Sequence, residues 1–298
     1  MLSLGAWRTL DRIPRERALA VVASARLAGI DFFDVPRYTI SMGLAPLRDG
    51  WAQVVFGDLF RGLGWRRDEV TLADKLWWEF WPEQSPAEEL DRSLVRLGFD
   101  HVDLLYSERP HEGLEVAEVV GSVAELIAAG KARAWGVVNW NAEQLAEAAR
   151  VARAGGLPLP CAAQLRYNVV RRHWVEAPAM EEALRSAGAS VVASTVLAGG
   201  VLSGKYVRPG GGGRLSGEID DARYERHRRA AEQLVPLADR LKTSPAALAY
   251  AFALANPSVA TVLFGATTPE HVEENAVADA LLDRLGDAEL ASLRHIGT

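Results

Sequence analysis

At 298 residues, with 49% apolar and 24% charged side chains, the chain has an ordinary folded-protein balance and ample material for a core. Its net charge of −6 gives no electrostatic footing for nucleic acid or an anionic membrane surface. One cysteine, Cys161, excludes an intrachain disulfide; with no apolar run near the ~18 residues of a membrane span and no signal-like start at Met1-Leu2-Ser3-Leu4, the expectation is a cytoplasmic protein.

Leu2–Gly5 reads as a first strand and Arg15–Ala28 as a helix with Leu19, Val22, Ala23 and Leu27 on its inner face. Gly29 ends that helix, and Ile30, Phe32 and Phe33 form a short buried strand closed by Asp34. A loop with Gly43, Pro46 and Gly50 precedes a helix over Trp51–Leu63. Val70–Ala73 is a strand delivering Asp74 and Lys75. Ser85-Pro86-Ala87-Glu88 is a capping box with proline at the first helical position; Leu90, Leu94 and Leu97 face inward, and Gly98 ends the helix. Val102–Tyr106 is a strand, followed by Ser107-Glu108-Arg109-Pro110. A helix over Leu114–Ala129 turns Val116, Val120, Val123 and Ile127 inward. Arg133–Val138 is a strand ending in Asn139, and Asn141 with Gln144 caps a helix reaching about Ala154. Cys161–Leu165 is a strand carrying Gln164, Pro178–Ala187 a helix, and Ser190–Ala193 a strand ending near Ser194.

The period then breaks into a loop over 198–217, with Gly199-Gly200 and Gly210 to Gly213; loops this long are usually functional or mobile. Ile219–Leu241 is helical, and its Arg223, Arg226, Arg228 and Arg229 sit among Glu218, Asp220, Asp221 and Glu225 as a solvated face. Ser244-Pro245 opens another helix, Ala260–Phe264 is the last strand, Thr268-Pro269 opens a helix, and Asp287–His295 is a C-terminal helix. Eight strands alternating with helices mean βα units and a parallel sheet. No Gly-x-Gly-x-x-Gly loop follows a strand, so an open dinucleotide-binding sheet fits poorly. The expected fold is a single-domain (β/α)8 TIM barrel over residues 1–298, with an extra helix after the seventh strand and the C-terminal helix added. In that fold chemistry collects at the strands' C-terminal ends, which selects Asp34, Lys75, Glu108, Asn139, Gln164, Ser194 and Gly265.

Singly, each of these has a plainer reading. Asp34 and Lys75 could be a surface ion pair, as could Glu108 and Arg109; Asn139 could start a helix, and Gln164 could be an internal strand polar group. Together on successive strand ends they are specific. The chain resembles the aldo-keto reductases, particularly the branch related to potassium-channel β subunits. The resemblance rests on Gly-Ile-Asp-Phe-Phe-Asp at 29–34, Ala-Asp-Lys at 73–75, Val-Asp-Leu-Leu at 102–105 and Gly-Lys-Ala-Arg-Ala-Trp-Gly-Val-Val-Asn-Trp at 130–140. Gln-Leu-Arg-Tyr-Asn at 164–168, Leu-Ala-Gly-Gly-Val-Leu-Ser-Gly-Lys-Tyr at 197–206 and Glu-Glu-Asn at 273–275 extend it.

The resemblance implies hydride transfer from a nicotinamide cofactor, NADP(H) with NAD(H) as the variant, to a small-molecule carbonyl. It places Asp34 and Lys75 beside a proton-donating tyrosine, whose free pKa of ~10 needs a neighbouring ammonium. Two positions depart from the pattern. The family's tyrosine falls five residues after the aspartate, where this chain has Thr39; Tyr38 lies one residue earlier and is the candidate donor. Glu108 stands where a histidine is usual. A similar exchange in the steroid double-bond-reducing branch moves activity from C=O to a conjugated C=C, a buried protonated carboxyl being a strong donor to an enone oxygen. Arg109, turned inward, would oppose this by favouring the charged form.

For the cofactor the resemblance implies Asn139 and Gln164 at the carboxamide, and Ser194 in place of the usual stacking ring. It implies Lys205 and Arg214 near the phosphates and Glu274 and Asn275 at the adenine end, with Thr267 and His271 replacing residues that often contact the 2′-phosphate or adenine, and Leu197, Gly199 and Gly265 also among the cofactor-binding residues. Trp7, Trp77, Trp78 and Trp81 are candidates for a substrate wall, against a packing role. The six histidines show no metal-ligand spacing. Two further readings stay open: a cofactor-binding sensor without turnover, and a barrel reused for cofactor-independent isomerisation or elimination through Glu108.

Overall fold

The computed structural model describes residues 1–41, 45, 47–208 and 211–296. Gly43, Pro46 and Gly210, expected in loops, lie outside these residues. Eight strands, β1 (Leu2–Gly5), β2 (Phe32–Asp34), β3 (Thr71–Leu76), β4 (Val102–Ser107), β5 (Ala132–Val138), β6 (Ala162–Arg166), β7 (Ser190–Ser194) and β8 (Val259–Phe264), close into a parallel barrel. Closure is made by Leu2, Ser3 and Leu4 pairing with Val262, Leu263 and Phe264. Helices α1 (Arg15–Leu27), α2 (Trp51–Leu63), α3 (Pro86–Leu97), α4 (Val116–Ala128) and α5 (Ala142–Gly155) surround its first half. The remainder are α6 (His173–Glu176), α7 (Pro178–Ala187), α8 (Ala222–Leu241), α9 (Pro245–Leu254), α10 (Pro269–Ala276), α11 (Ala278–Leu282) and α12 (Asp287–His295). Two long helices, α8 and α9, stand between β7 and β8, so the expected extra helix is present, as is the C-terminal one.

Two apolar layers hold the barrel. The larger lies between strands and helices; the smaller, inside the barrel, contains Phe32, Ala73, Leu104, Tyr106, Val138, Ala162 and Val192. Side chains alternate along a strand, so Asp34, Lys75 and Gln164, each two residues beyond a member of that inner layer, also face the barrel axis.

Local chemistry sets the helix ends. Ser85 accepts from the Glu88 N–H while the Glu88 carboxylate accepts from the Ser85 N–H, and Asn141 and Gln144 do the same for α5. Gly98, at φ 76°, ends α3 in the left-handed conformation that glycine adopts without strain. The basic cluster on α8 is solvated as expected: Arg223 pairs with Glu218, Arg228 with Asp220 and Arg229 with Glu225 on the surface.

Three expectations need correction. The inner face of α1 is Ala18, Val21, Val22 and Ala25, whereas Leu27 is 90% exposed. Of the expected stripe, Val22 is buried and Leu19 and Ala23 are half-buried. On α4, Val119 and Leu126 join Val120 and Val123 inside, and Val116 and Ile127 flank the contact. β2 starts at Phe32, and β3 runs on to Leu76 because Asp74 and Lys75 stay paired with Leu105 and Tyr106 of β4.

Candidate active site

At the C-terminal rim of the barrel, Lys75 Nζ donates to Asp34 Oδ2 at 2.6 Å, with the two side chains 5% and 1% exposed. Gln164 Nε2, from β6, donates to the same oxygen at 3.0 Å. Asp34 Oδ1 has no partner among the described residues, nor does the buried hydroxyl of Tyr106, whose ring centroid lies 5.9 Å from Lys75 Nζ. The barrel mouth therefore holds a desolvated ion pair with an acceptor and a donor left over. Burial, and then the Asp34 charge, push the Tyr106 phenol well above its ordinary pKa.

Tyr38 lies in the segment after β2, buried, with its ring 6.2 Å from that of Trp77. Burial is the main cause raising its pKa well above 10; the negative charges of Asp34, Asp11 and Asp74 add to it. Among the described residues no hydrogen bond joins Tyr38 to Lys75. Thr39, in the slot the resemblance reserves for tyrosine, is fully buried and turned to Glu79 and Ser41, with oxygens 3.4 and 2.9 Å away. Arg37 anchors this segment: its guanidinium donates to Glu79 at 2.8 Å and to Glu89 at 3.1 Å, and Glu89 accepts the N–H groups of Trp77 and Trp78.

Glu108 follows β4 and is half-buried; its Oε1 accepts from the Arg109 N–H at 3.2 Å and lies 3.6 Å from Arg109 Nε. It borders a cavity of about 240 Å³ with Arg109, His111, Asn139, Gln144 and Trp174. Ser107 fixes the strand end beneath it. Its hydroxyl accepts from Trp78 Nε1 at 2.8 Å and donates to the Glu108 carbonyl at 2.9 Å, while its own carbonyl accepts from Trp140 Nε1 at 3.0 Å.

The candidate tryptophans separate. Trp78 is buried with its indole N–H engaged by Ser107, and it packs edge-on against the half-buried Trp81. Trp77 is half-buried beside Tyr38, and its indole N–H has no partner among the described residues. Trp7 lies in the segment after β1, its ring 5.4 Å from the Arg8 guanidinium and 5.3 Å from that of Arg214, close enough for cation–π attraction.

Of the candidate cofactor residues, Asn139 has a positive φ of 56° and donates its N–H to the Gln164 carbonyl; its side-chain amide bonds to no other described residue. The Gln164 amide nitrogen is engaged by Asp34. Ser194 donates to the Leu165 carbonyl, and the buried hydroxyl of Thr195 beside it has no partner among the described residues. Leu197 precedes a turn through Gly199 and Gly200, both at positive φ, 74° and 95°. A Cβ on Gly200 or Gly213 would lie 3.0 or 2.7 Å from Lys205 Nζ, so both glycines make room for that ammonium. Burial, then the charge of Arg8, pull the Arg214 pKa down. Gly265 packs against Thr9, where a Cβ would come within 2.9 Å of a methyl group. Thr268 caps α10, with Thr267 3.5 Å from His271 Nδ1, Asn275 buried and Glu274 exposed.

Tyr106, Thr195, Arg37 and Trp174 were not among the sequence candidates. Strand alternation back from Glu108 points to Tyr106; the others carry no sequence signal of their own. No group of three or more His, Cys, Asp or Glu among the described residues could hold a metal, and no helix there is long and apolar enough to cross a membrane.

The chain matches the aldo/keto reductase family over residues 1–297. A probable voltage-gated potassium channel subunit beta of Oryza sativa subsp. japonica is 33% identical over 303 aligned residues, covering 93% of this chain and 86% of that protein. Another probable voltage-gated potassium channel subunit beta, from Arabidopsis thaliana, is 31% identical over the same coverage. With its closed (β/α)8 barrel and this similarity along nearly its whole length, the chain belongs to the aldo/keto reductase family, whose members are in general NAD(P)H-dependent oxidoreductases.

Proposed function

We propose that this protein is a cytoplasmic, single-domain NADP(H)-dependent oxidoreductase that reduces the carbonyl or conjugated C=C of a small metabolite. The observation that carries the reading is the Lys75–Asp34 pair buried at the barrel rim, 2.6 Å apart, with Lys75 on the strand that pairs with β4, after which Glu108 borders its cavity. A buried ammonium favours negative charge developing on a substrate oxygen, and Asp34 holds that ammonium in place. The proton comes from Tyr38 or Glu108. Tyr38 stays a neutral phenol at any physiological pH, while Glu108 borders the cavity itself.

The residues present fit a nicotinamide dinucleotide. The Asn139 amide and the Thr195 hydroxyl, neither bonded to another described residue, suit a carboxamide. Lys205, framed by Gly200 and Gly213, and Arg214 suit phosphates, with Leu197, Gly199 and Gly265 as the surrounding backbone. Thr267, His271, Glu274 and Asn275 suit the adenosine end. Ser194 offers no ring to stack on. When bound, the cofactor supplies the hydride.

A titration of NADPH fluorescence, alongside NADH, with oxidation followed at 340 nm against carbonyls and enones tests this. Lys75→Met should bind NADPH and lose turnover at least 100-fold. Glu108→His should gain carbonyl reduction if the wild type acts on C=C. Failure to bind either cofactor overturns the reading and leaves cofactor-independent isomerisation or elimination through Glu108. Binding without turnover favours the sensor reading, which has two observations behind it: Lys75 makes no hydrogen bond to Tyr38, and the relatives are named as channel subunits.

A further inference from the structure

Arg37 is buried between two carboxylates that come from different elements. Its guanidinium donates to Glu79 Oε2 at 2.8 Å and to Glu89 Oε1 at 3.1 Å, the three side chains being 8%, 16% and 5% exposed. Glu79 lies in the loop after β3 and Glu89 on α3, so one planar fork joins the segment after β2 to both. Stability does not call for three buried charges, since well-packed apolar residues in their place serve as well or better. What apolar residues lack is direction, and each bond here has one.

Glu89 holds both sides of one aromatic contact. Its Oε1 accepts from Arg37 and from the Trp77 N–H at 3.0 Å, and its Oε2 accepts from the Trp78 N–H at 3.2 Å. Tyr38 follows Arg37 directly, and its ring lies 6.2 Å from that of Trp77. A single carboxylate thus grips the segment at Arg37 and, at Trp77, the wall it leans on. Glu79 acts on the next residue. Its Oε1 accepts from Ser41 at 2.7 Å and lies 3.4 Å from the Thr39 hydroxyl, keeping Thr39 turned to the loop after β3. The Gly50 N–H donates to the Tyr38 carbonyl at 2.8 Å and closes the segment. The charges of Asp34 and Asp74 act on the Tyr38 phenol, so the ring stands near the Lys75–Asp34 pair.

Resting on the oxidoreductase reading, we infer that Arg37, Glu79 and Glu89 are positioning residues, a buried clamp that presents Tyr38 to the reacting centre and keeps Thr39 out of that place. The clamp acts through Tyr38 and touches neither substrate nor cofactor. It also makes the segment after β2 and the loop after β3 one body, so Tyr38 and Trp77 keep their spacing when either is pushed.

The test removes the clamp without leaving a charge buried. Arg37→Met/Glu79→Gln/Glu89→Gln keeps the side-chain shapes, and an amide oxygen at 89 still accepts the Trp77 N–H, so this variant should melt within about 3 °C of the wild type. Glu89→Gln alone carries the same readouts should the triple variant not fold. Nitration by tetranitromethane, mapped by peptide mass spectrometry, reads each tyrosine separately. Half-buried Tyr206 and Tyr224 should react in every protein, and buried Tyr106, Tyr167 and Tyr250 in none. Tyr38 should be protected in the wild type and react at least about tenfold faster in the triple variant, with Glu89→Gln in between. With NADPH and whichever carbonyl or enone the wild type reduces, kcat and kcat/KM should fall together by about tenfold or more, while the NADPH Kd stays within about twofold. Arg37→Lys, which keeps the cation, should retain more kcat than Arg37→Met. A Tyr38 still protected in the triple variant, or an unchanged kcat, overturns the inference. So does faster nitration of all the buried tyrosines together, the sign of general loosening. If the wild type binds no NADPH, the oxidoreductase reading falls, and the nitration pattern alone decides whether the clamp sets Tyr38.

Discussion

Removing one partner of the Lys75–Asp34 pair should cost far more than removing both. In Lys75→Met the Asp34 carboxylate stays 1% exposed, keeps one donor from Gln164 on Oδ2 and still has none on Oδ1. Breaking a buried pair in this way costs about 3–5 kcal/mol. In the double variant Asp34→Asn/Lys75→Met no charge is buried, and the Gln164 N–H can still meet the asparagine oxygen. The expected cost falls to about 1–2 kcal/mol, since neutral replacement of a buried pair is often close to neutral. The coupling energy should therefore be about 2 kcal/mol or more. Thermal unfolding by circular dichroism reads this directly: the single variant should melt on the order of 10 °C below the wild type, and the double should recover most of the gap. A single variant melting within about 2 °C of the wild type, or a strictly additive cycle, would show that the pair carries no mutual stabilisation.

Asp74, buried behind Lys75, has its pKa pushed up to about 7 from 3.8, chiefly by burial, so the folded state holds its proton more tightly than the unfolded chain. Stability is thus lost as pH rises through about 4 to 7 and stays low above, by roughly 4 kcal/mol at ~1.4 kcal/mol per pKa unit; Asp74→Asn should gain on the wild type in melting scans between pH 5 and pH 8, and parallel curves would refute the assignment. Arg37→Met leaves Glu79 and Glu89 without their cation and should destabilise by about 3–5 kcal/mol in urea unfolding, with Arg37→Lys intermediate; a neutral result would remove its anchoring role. Gly213→Ala places a methyl 2.7 Å from both Lys205 Nζ and Tyr206 Oη, and should raise the NADPH Kd several-fold in fluorescence titration while leaving the melting temperature within a few degrees; an unchanged Kd would take Lys205 out of the phosphate site.

The fold was legible because each βα unit announces its own ends. The capping box at Ser85, the Asn141–Gln144 pair, Ser244 before Pro245, Thr268 before Pro269 and the helix-ending Gly98 are local devices, complete within a few residues. The buried stripe of α1 was not, because alanines at 18 and 25 are buried while Leu27 points to solvent. The same divide runs through the site. Strand ends bring Asp34, Lys75, Glu108, Asn139 and Gln164 to one rim, but what each touches is tertiary. That Gln164 donates to Asp34 across the barrel, or that Arg37 joins two glutamates from other elements, depends on residues 130, 42 and 52 positions apart. No periodicity encodes such meetings.

Ser107 has a consequence for how this barrel can change. Two indoles grip it from either side, and its hydroxyl holds the carbonyl of residue 108. None of those bonds involves the side chain at 108. The backbone there is thus pinned independently of which residue occupies it, so reactivity can be exchanged at that point without loosening the scaffold. Saturation mutagenesis of position 108 should yield folded proteins of differing chemistry.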